Sequence, residues 1–179
     1  MTKRIAAAIT AIWLAAVVLP GETPGGVSRS VRADVDWARS VVFEKLESSE
    51  CRLIFSDFED SDGHTLQSNL DSRGETGADL MRRLTYRDGA GERPCRSDGV
   101  LAFTTPGAQA IFICSAGFRR VLREHRDLAA NILLHEGLHC LGLEERSQFS
   151  RVSSDNTLRG RRLLTSLEIT EHVAARCGN

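Results

Sequence analysis

The chain reads as a single α+β domain, a few-stranded sheet packed on one buried helix with a further helix at its C-terminus. Three observations predict this. The run Leu128-Ala129-Ala130-Asn131-Ile132-Leu133-Leu134 is apolar on nearly every side, as expected of a helix enclosed by a core. Short runs with strand character, punctuated by Gly and Pro, stand before it, and helical periodicity stands near both ends of the chain. The length of 179 residues, less an apolar N-terminal segment, leaves about 158, enough for one core and too few for two.

The first residues carry Lys3 and Arg4, then a run over 5–19 that is apolar except for Thr10, then Pro20-Gly21. Fifteen residues suit the apolar region of a signal peptide but fall short of the ~20 needed to span a bilayer. Residues 1–21 are therefore expected to be a signal peptide, with an uncleaved N-terminal anchor as the alternative. Cleavage falls between Ala16 and Gly26, and no cysteine near the break supports a lipid anchor. Residues 22–33, rich in Gly, Pro and Ser, read as a linker, and 34–179 as the folded domain.

Within that domain Val35, Trp37, Ala38, Val41, Val42 and Leu46 recur at helical spacing, which predicts a first helix to about Ser48. Residues 51–58 read as a strand, 59–63 as a turn, and 65–80 as helical with a break at Gly74. Strands are expected over 84–87, 100–104 and 110–114, the last two joined by Pro106-Gly107. A short helix over 118–124 precedes the long helix that Asp127 opens and Gly142 ends. Thr165, with Glu168 three residues on, has the capping-box pattern and opens a last helix.

Formal charge is −1, and loss of residues 1–21 removes two cations and no acid, giving about −3. That balance is mild and mixed and does not suggest nucleic acid. The basic cluster Arg159, Arg161 and Arg162 reads as a solvated loop. Five cysteines in a chain expected to be exported point to disulfides with one thiol left over. Cys140 is the expected free thiol, Cys95 and Cys114 could bridge the two strand-like runs they flank, and Cys51 and Cys177 would then join the early chain to the last helix.

Residues 135–139 read His-Glu-Gly-Leu-His, the H-E-x-x-H pattern of zinc-dependent hydrolases. On a helix, residues four apart share a face, so His135 and His139 can aim two imidazole nitrogens at one ion. Glu136 stands beside them, where its carboxylate can act as the general base. Placing three such groups on a buried helix without partners would cost several kcal/mol, roughly, and a metal removes the objection.

A catalytic zinc typically has three protein ligands. Glu145 is the preferred third ligand, because the turn at Gly142 can bring a residue just past the helix back to the ion. Glu168 or Glu171 of the last helix, or the adjacent Glu144, are the alternatives. His64, His125 and His172 read as surface residues. The run His135-Glu136-x-x-His139-x-x-Gly142-x-x-Glu145 resembles the extended motif of the metzincin metallopeptidases, with Glu in place of the usual last His or Asp, and a zincin-like domain is the fold this implies. The chain lacks the methionine that follows the motif in that family, its only two being Met1 and Met81, so a residue of 147–155 would have to floor the site. With its flanking leucines, Phe103-Thr-Thr-Pro-Gly and Leu167-Glu168-Ile-Thr, the chain also resembles small exported bacterial proteins with zincin-like motifs.

These readings together predict a secreted or periplasmic zinc metallopeptidase acting on peptide or protein substrates, with Glu136 as catalytic base and His135, His139 and Glu145 on Zn2+. It is expected to be a monomer with no nucleic-acid partner and no stable membrane association after signal cleavage. A noncatalytic, zinc-stabilised secreted binding protein is the alternative, and a chance motif in a disulfide-linked domain is a third reading. The 100–114 hairpin could offer an edge strand to a substrate backbone, or be an ordinary hairpin. Tyr86 is the only tyrosine and lies far upstream, so an oxyanion donor would have to be an arginine or a backbone amide.

Overall fold

The computed structural model describes residues 28–146, 157–158 and 161–178. The expected signal segment, much of the expected linker and the loop proposed to floor the site lie outside the described residues. Helix α1 spans Arg29–Glu47, and the Ser28 hydroxyl accepts from the Val31 N–H to cap it. Val31, Val35, Ala38, Val42 and Leu46 form one buried stripe at helical spacing. The helix thus begins inside the segment expected as linker, because Val31 extends the stripe by one more turn.

The strand expected over 51–58 is not formed. Two short helices stand there, α2 (Ser49–Arg52) and α3 (Ile54–Asp57). Cys51, Ile54, Phe55 and Phe58 are buried while Arg52, Leu53 and Ser56 are exposed, which is a 3.6-residue period rather than alternation. Ser48 caps α2 by accepting from the Glu50 N–H at 3.2 Å. Helices α4 (Leu66–Asp71) and α5 (Gly77–Arg83) then part at Gly74, as expected, and Thr65 and Thr76 cap their starts.

The sheet is small. Strands β1 (Thr85–Asp88), β2 (Ala102–Phe103) and β3 (Ala110–Ile113) lie in the order β1-β3-β2, with β1 parallel and β2 antiparallel to β3. The 102–113 hairpin is therefore real, and β2 is an edge strand. Helix α6 (Ser115–Glu124) leads into α7 (Arg126–Cys140), and α8 (Ser166–Cys177) closes the chain behind its Thr165–Glu168 capping box. Strands β4 (Thr157–Leu158) and β5 (Arg161–Arg162) pair antiparallel, so Arg161 and Arg162 lie in a strand where a loop was expected, and Arg159 lies outside the described residues.

Helix α7 is the pillar of this α+β fold. It packs against α1, α6 and α8, with β2 and β3 on a further side. Ala129, Ala130, Leu133, Leu134 and Leu138 are fully buried. Gly137 gives Met81 room against the helix, since a Cβ there would stand 2.7 Å from the Met81 sulfur. Disulfides join Cys51 to Cys177 and Cys95 to Cys114, and Cys140 is the free, buried thiol, all as the sequence suggested. Two disulfides fit folding in an oxidising compartment. Among the described residues no helix is long and apolar enough to cross a membrane.

Candidate metal centre

His135 and His139 lie one turn apart near the end of α7 and are nearly buried, at 3 % and 4 % exposure. Their Nε2 atoms face each other at 2.9 Å. Glu145 comes back from beyond Gly142 to place Oε2 3.7 Å from His135 Nε2 and 3.6 Å from His139 Nε2. Among the described residues these three side chains form the one group that could hold a metal ion.

The outer nitrogens show what the inner ones lack. His139 Nδ1 lies 2.7 Å from the Leu143 carbonyl oxygen, which can only accept, so Nδ1 carries the proton. His135 Nδ1 lies 2.9 Å from the Thr170 hydroxyl on α8, and that hydroxyl donates to the Ser166 carbonyl at 2.9 Å, leaving it to accept from Nδ1. With both Nδ1 atoms protonated, two neutral imidazoles would turn bare Nε2 lone pairs on each other beside a carboxylate. A cation between them resolves the repulsion. The hydrogen-bonding of ligand histidines to outer partners is the arrangement that fixes tautomer and ring orientation in metal sites.

The electrostatics agree. Burial works against a charged His139, but the nearby Glu145 carboxylate, the Glu136 charge and the Leu143 carbonyl outweigh it and raise its pKa above the ordinary 6.5. Burial also pushes Glu145 up, yet the two imidazoles close to its carboxylate pull it down to about 2. The pocket holds an anion and favours positive charge between the rings, supplied by a proton or by a metal.

Glu136 is 7 % exposed and is not part of the donor group. Burial dominates its titration and raises its pKa above 4.5, against the lowering effects of His135, His139 and a backbone hydrogen bond from Thr104, just past β2. The general-base candidate thus feels both imidazoles and the Thr104 backbone.

None of the alternative ligands joins the donor group. The Glu168 carboxylate takes the Thr165 N–H at 2.7 Å and hydroxyl at 3.0 Å as the cap of α8. Glu171 faces solvent, and Glu144 stands outside the donor group. His64, His125 and His172 are all exposed, as expected, and His172 also bonds Asp57 at 2.9 Å. Tyr86 donates to the Met81 carbonyl at 3.3 Å, and burial pushes its phenol up to about 12. Cys140 contacts Thr104 Oγ1 at 3.7 Å, and burial pushes its thiol up to about 11.

Thr170 and the Leu143 carbonyl were not visible as site groups in the sequence. The only signal for Thr170 is a small hydroxyl beside the buried stripe of Ile169 and Val173 on α8. The chain matches no protein-family model, no curated protein and no solved structure.

Proposed function

We propose that this chain is a zinc-dependent metallopeptidase of the H-E-x-x-H class, active outside the cytoplasm, with His135, His139 and Glu145 holding Zn2+ and Glu136 as general base. The observation that carries the reading is the pair of Nε2 atoms turned on each other at 2.9 Å with a carboxylate closing the triangle. Zn–N bonds of 2.0–2.1 Å at a tetrahedral angle put two imidazole nitrogens about 3.4 Å apart, so a small opening of the triangle admits the ion. Imidazole and carboxylate are both ordinary zinc ligands.

When bound, zinc would lower the pKa of a water toward about 7 and polarise the carbonyl of a scissile peptide. The residues of the chain do the rest. Glu136 accepts a proton from the attacking water and delivers it to the leaving amine, and its raised pKa brings a carboxylate nearer the working pH, where general bases act best. Thr170 and the Leu143 carbonyl hold the rings in the tautomer that presents Nε2. Among the described residues β2 is an edge strand, and Thr104 just past it bonds Glu136, so an extended peptide could add there as a further strand.

The noncatalytic alternative, a zinc site that only stabilises a secreted binding protein, is less well supported. A structural site is closed by four protein ligands. Here the described residues contribute three, and a buried carboxylate with a raised pKa stands beside them without joining. The test combines elemental analysis with a peptide-library assay. About one zinc per chain is expected in wild type and in Glu136→Gln and little in His139→Ala, with cleavage in wild type falling about 10²–10⁴-fold in Glu136→Gln. Zinc without any cleavage would select the binding protein, and no zinc would end the metallopeptidase reading.

A further inference from the structure

The Gly142 turn delivers Glu145 to the two histidines, and it is held from outside the motif. Three carbonyls at the end of α7 take donors from separate places. The His139 carbonyl accepts from the Gly107 and Gly142 N–H groups, both at 2.9 Å. The Leu138 carbonyl accepts from Leu141 and Leu143 N–H at 3.0 and 3.3 Å. The Leu141 carbonyl accepts from the Asn69 side-chain amide at 3.0 Å, a contact across 72 residues.

Asn69 lies on α4, and the same amide nitrogen donates to Asp60 Oδ2 at 2.9 Å. Asp60 is itself fixed. Its Oδ1 accepts from the Asp62 and His64 N–H groups at 2.8 and 3.0 Å. The loop carrying it is closed by backbone bonds from Asp60 N–H to the His64 carbonyl at 2.9 Å and from Leu66 N–H to the Phe58 carbonyl at 3.0 Å. Asp60 also packs on the turn, since a Cβ on Gly142 would stand 3.2 Å from its own Cβ. A carboxylate fixed by its own loop thus aims an amide at the carbonyl that precedes Gly142.

From this we propose that Asn69, aimed by Asp60, is a positioning residue of the metal centre, holding the 141–143 turn in the conformation that brings Glu145 to the ion. The proposal rests on the metal-site reading above. It explains why a half-exposed ligand beyond the helix, with 35 % of its side chain open to solvent, is nevertheless poised within 3.7 Å of both imidazoles.

The test needs no substrate. Zinc affinity and the visible absorption of the Co2+ form are measured on the full chain, on Asn69→Ala and on Glu145→Ala, the last as reference for a lost third ligand. In Asn69→Ala the zinc Kd is expected to rise about 10–100-fold, the range typical for lost outer partners of metal ligands. The Co2+ spectrum should move toward that of Glu145→Ala while far-UV circular dichroism matches wild type. A folded Asn69→Ala with unchanged zinc affinity and an unchanged Co2+ spectrum overturns the proposal.

Coupling between a brace and a ligand is reciprocal. Zinc added to wild type must therefore slow hydrogen exchange at the Asn69 side-chain amide, a measurement independent of whether the variant folds. Equal exchange with and without zinc overturns the brace. A wild-type chain that takes up neither Zn2+ nor Co2+ overturns the metal reading and the brace together, an outcome distinct from failure of the brace alone.

Discussion

Gly142 is required twice at one position. Its φ of +107° lies where side-chain-bearing residues are strained, and a Cβ there would crowd Asp60 at 3.2 Å. Gly142→Ala should therefore lower stability by about 1–3 kcal/mol, the usual cost of such backbone strain, and weaken zinc binding by displacing Glu145. Urea unfolding with and without chelator measures the two effects separately, and a variant as stable and as tight for zinc as wild type would show that the turn relaxes freely. The donor set was legible in the sequence for a related reason. His135, Glu136 and His139 are related by the pitch of a helix, and the chain reversal at Gly142 favoured Glu145 while leaving Glu144, Glu168 and Glu171 open. Thr170 and Asn69 reach the site across 35 and 72 residues, and a contact made only by folding leaves no periodic trace.

At the scale of elements, α8 decides how firmly the site is held. It carries Thr170 against His135, is capped by its own Thr165–Glu168 box, and is fastened to α2 by the disulfide between Cys51 and Cys177. That bridge closes a separation of 126 residues, the other only 19. Loop-closure entropy makes the longer bridge the more stabilising, within a usual range of about 2–5 kcal/mol. The Cys51→Ala/Cys177→Ala pair should thus lose more stability than Cys95→Ala/Cys114→Ala, and should weaken zinc more, because Cys177 stands on the helix whose Thr170 bonds the ring of His135. Zinc titration of both double variants checks this, and equal losses of affinity would disconnect α8 from the site. The same region shows where sequence reading failed. A short apolar run such as 51–58 fits strand or helix, and the choice was made by the need of Cys51, Ile54, Phe55 and Phe58 to face one core. The helix over 126–140 was easier, because only a helix can bury so long an apolar run and still place two histidines together.

For the whole molecule, the question is what joins the N-terminal helices to the last one besides the disulfide. Asp57 at the end of α3 receives Arg176 of α8 through two bonds, Nε to Oδ2 at 2.6 Å and a terminal nitrogen to Oδ1 at 2.9 Å, with His172 Nε2 also at 2.9 Å from Oδ2. Arg176 also bonds Glu50 of α2. The Arg176 hydrogen bond is the largest influence on Asp57 and, with His172, outweighs burial, so its pKa falls below the ordinary 3.8. A carboxyl whose pKa is depressed on folding contributes stability that is complete above its unfolded value and lost as pH falls through the folded one. Asp60 is depressed as well, its burial offset by bonds from Asn69 and the backbone of 62–64, and so is Glu75, chiefly through Arg83. In the chelated protein the raised His139 and Glu136 should make unfolding free energy rise as pH falls from 7 toward about 5, and the depressed carboxyls should make it fall steeply below about 4. Asp57→Asn should be less stable at pH 7, since it leaves Arg176 without its main partner, yet should lose less on acidification. Urea midpoints at pH 7, 5, 4 and 3 measure this in both proteins, with chelator present so that loss of metal does not enter the comparison and the titration of His139 and Glu136 is common to both. Parallel curves for wild type and Asp57→Asn would mean that the α3–α8 ion pair contributes nothing to acid lability.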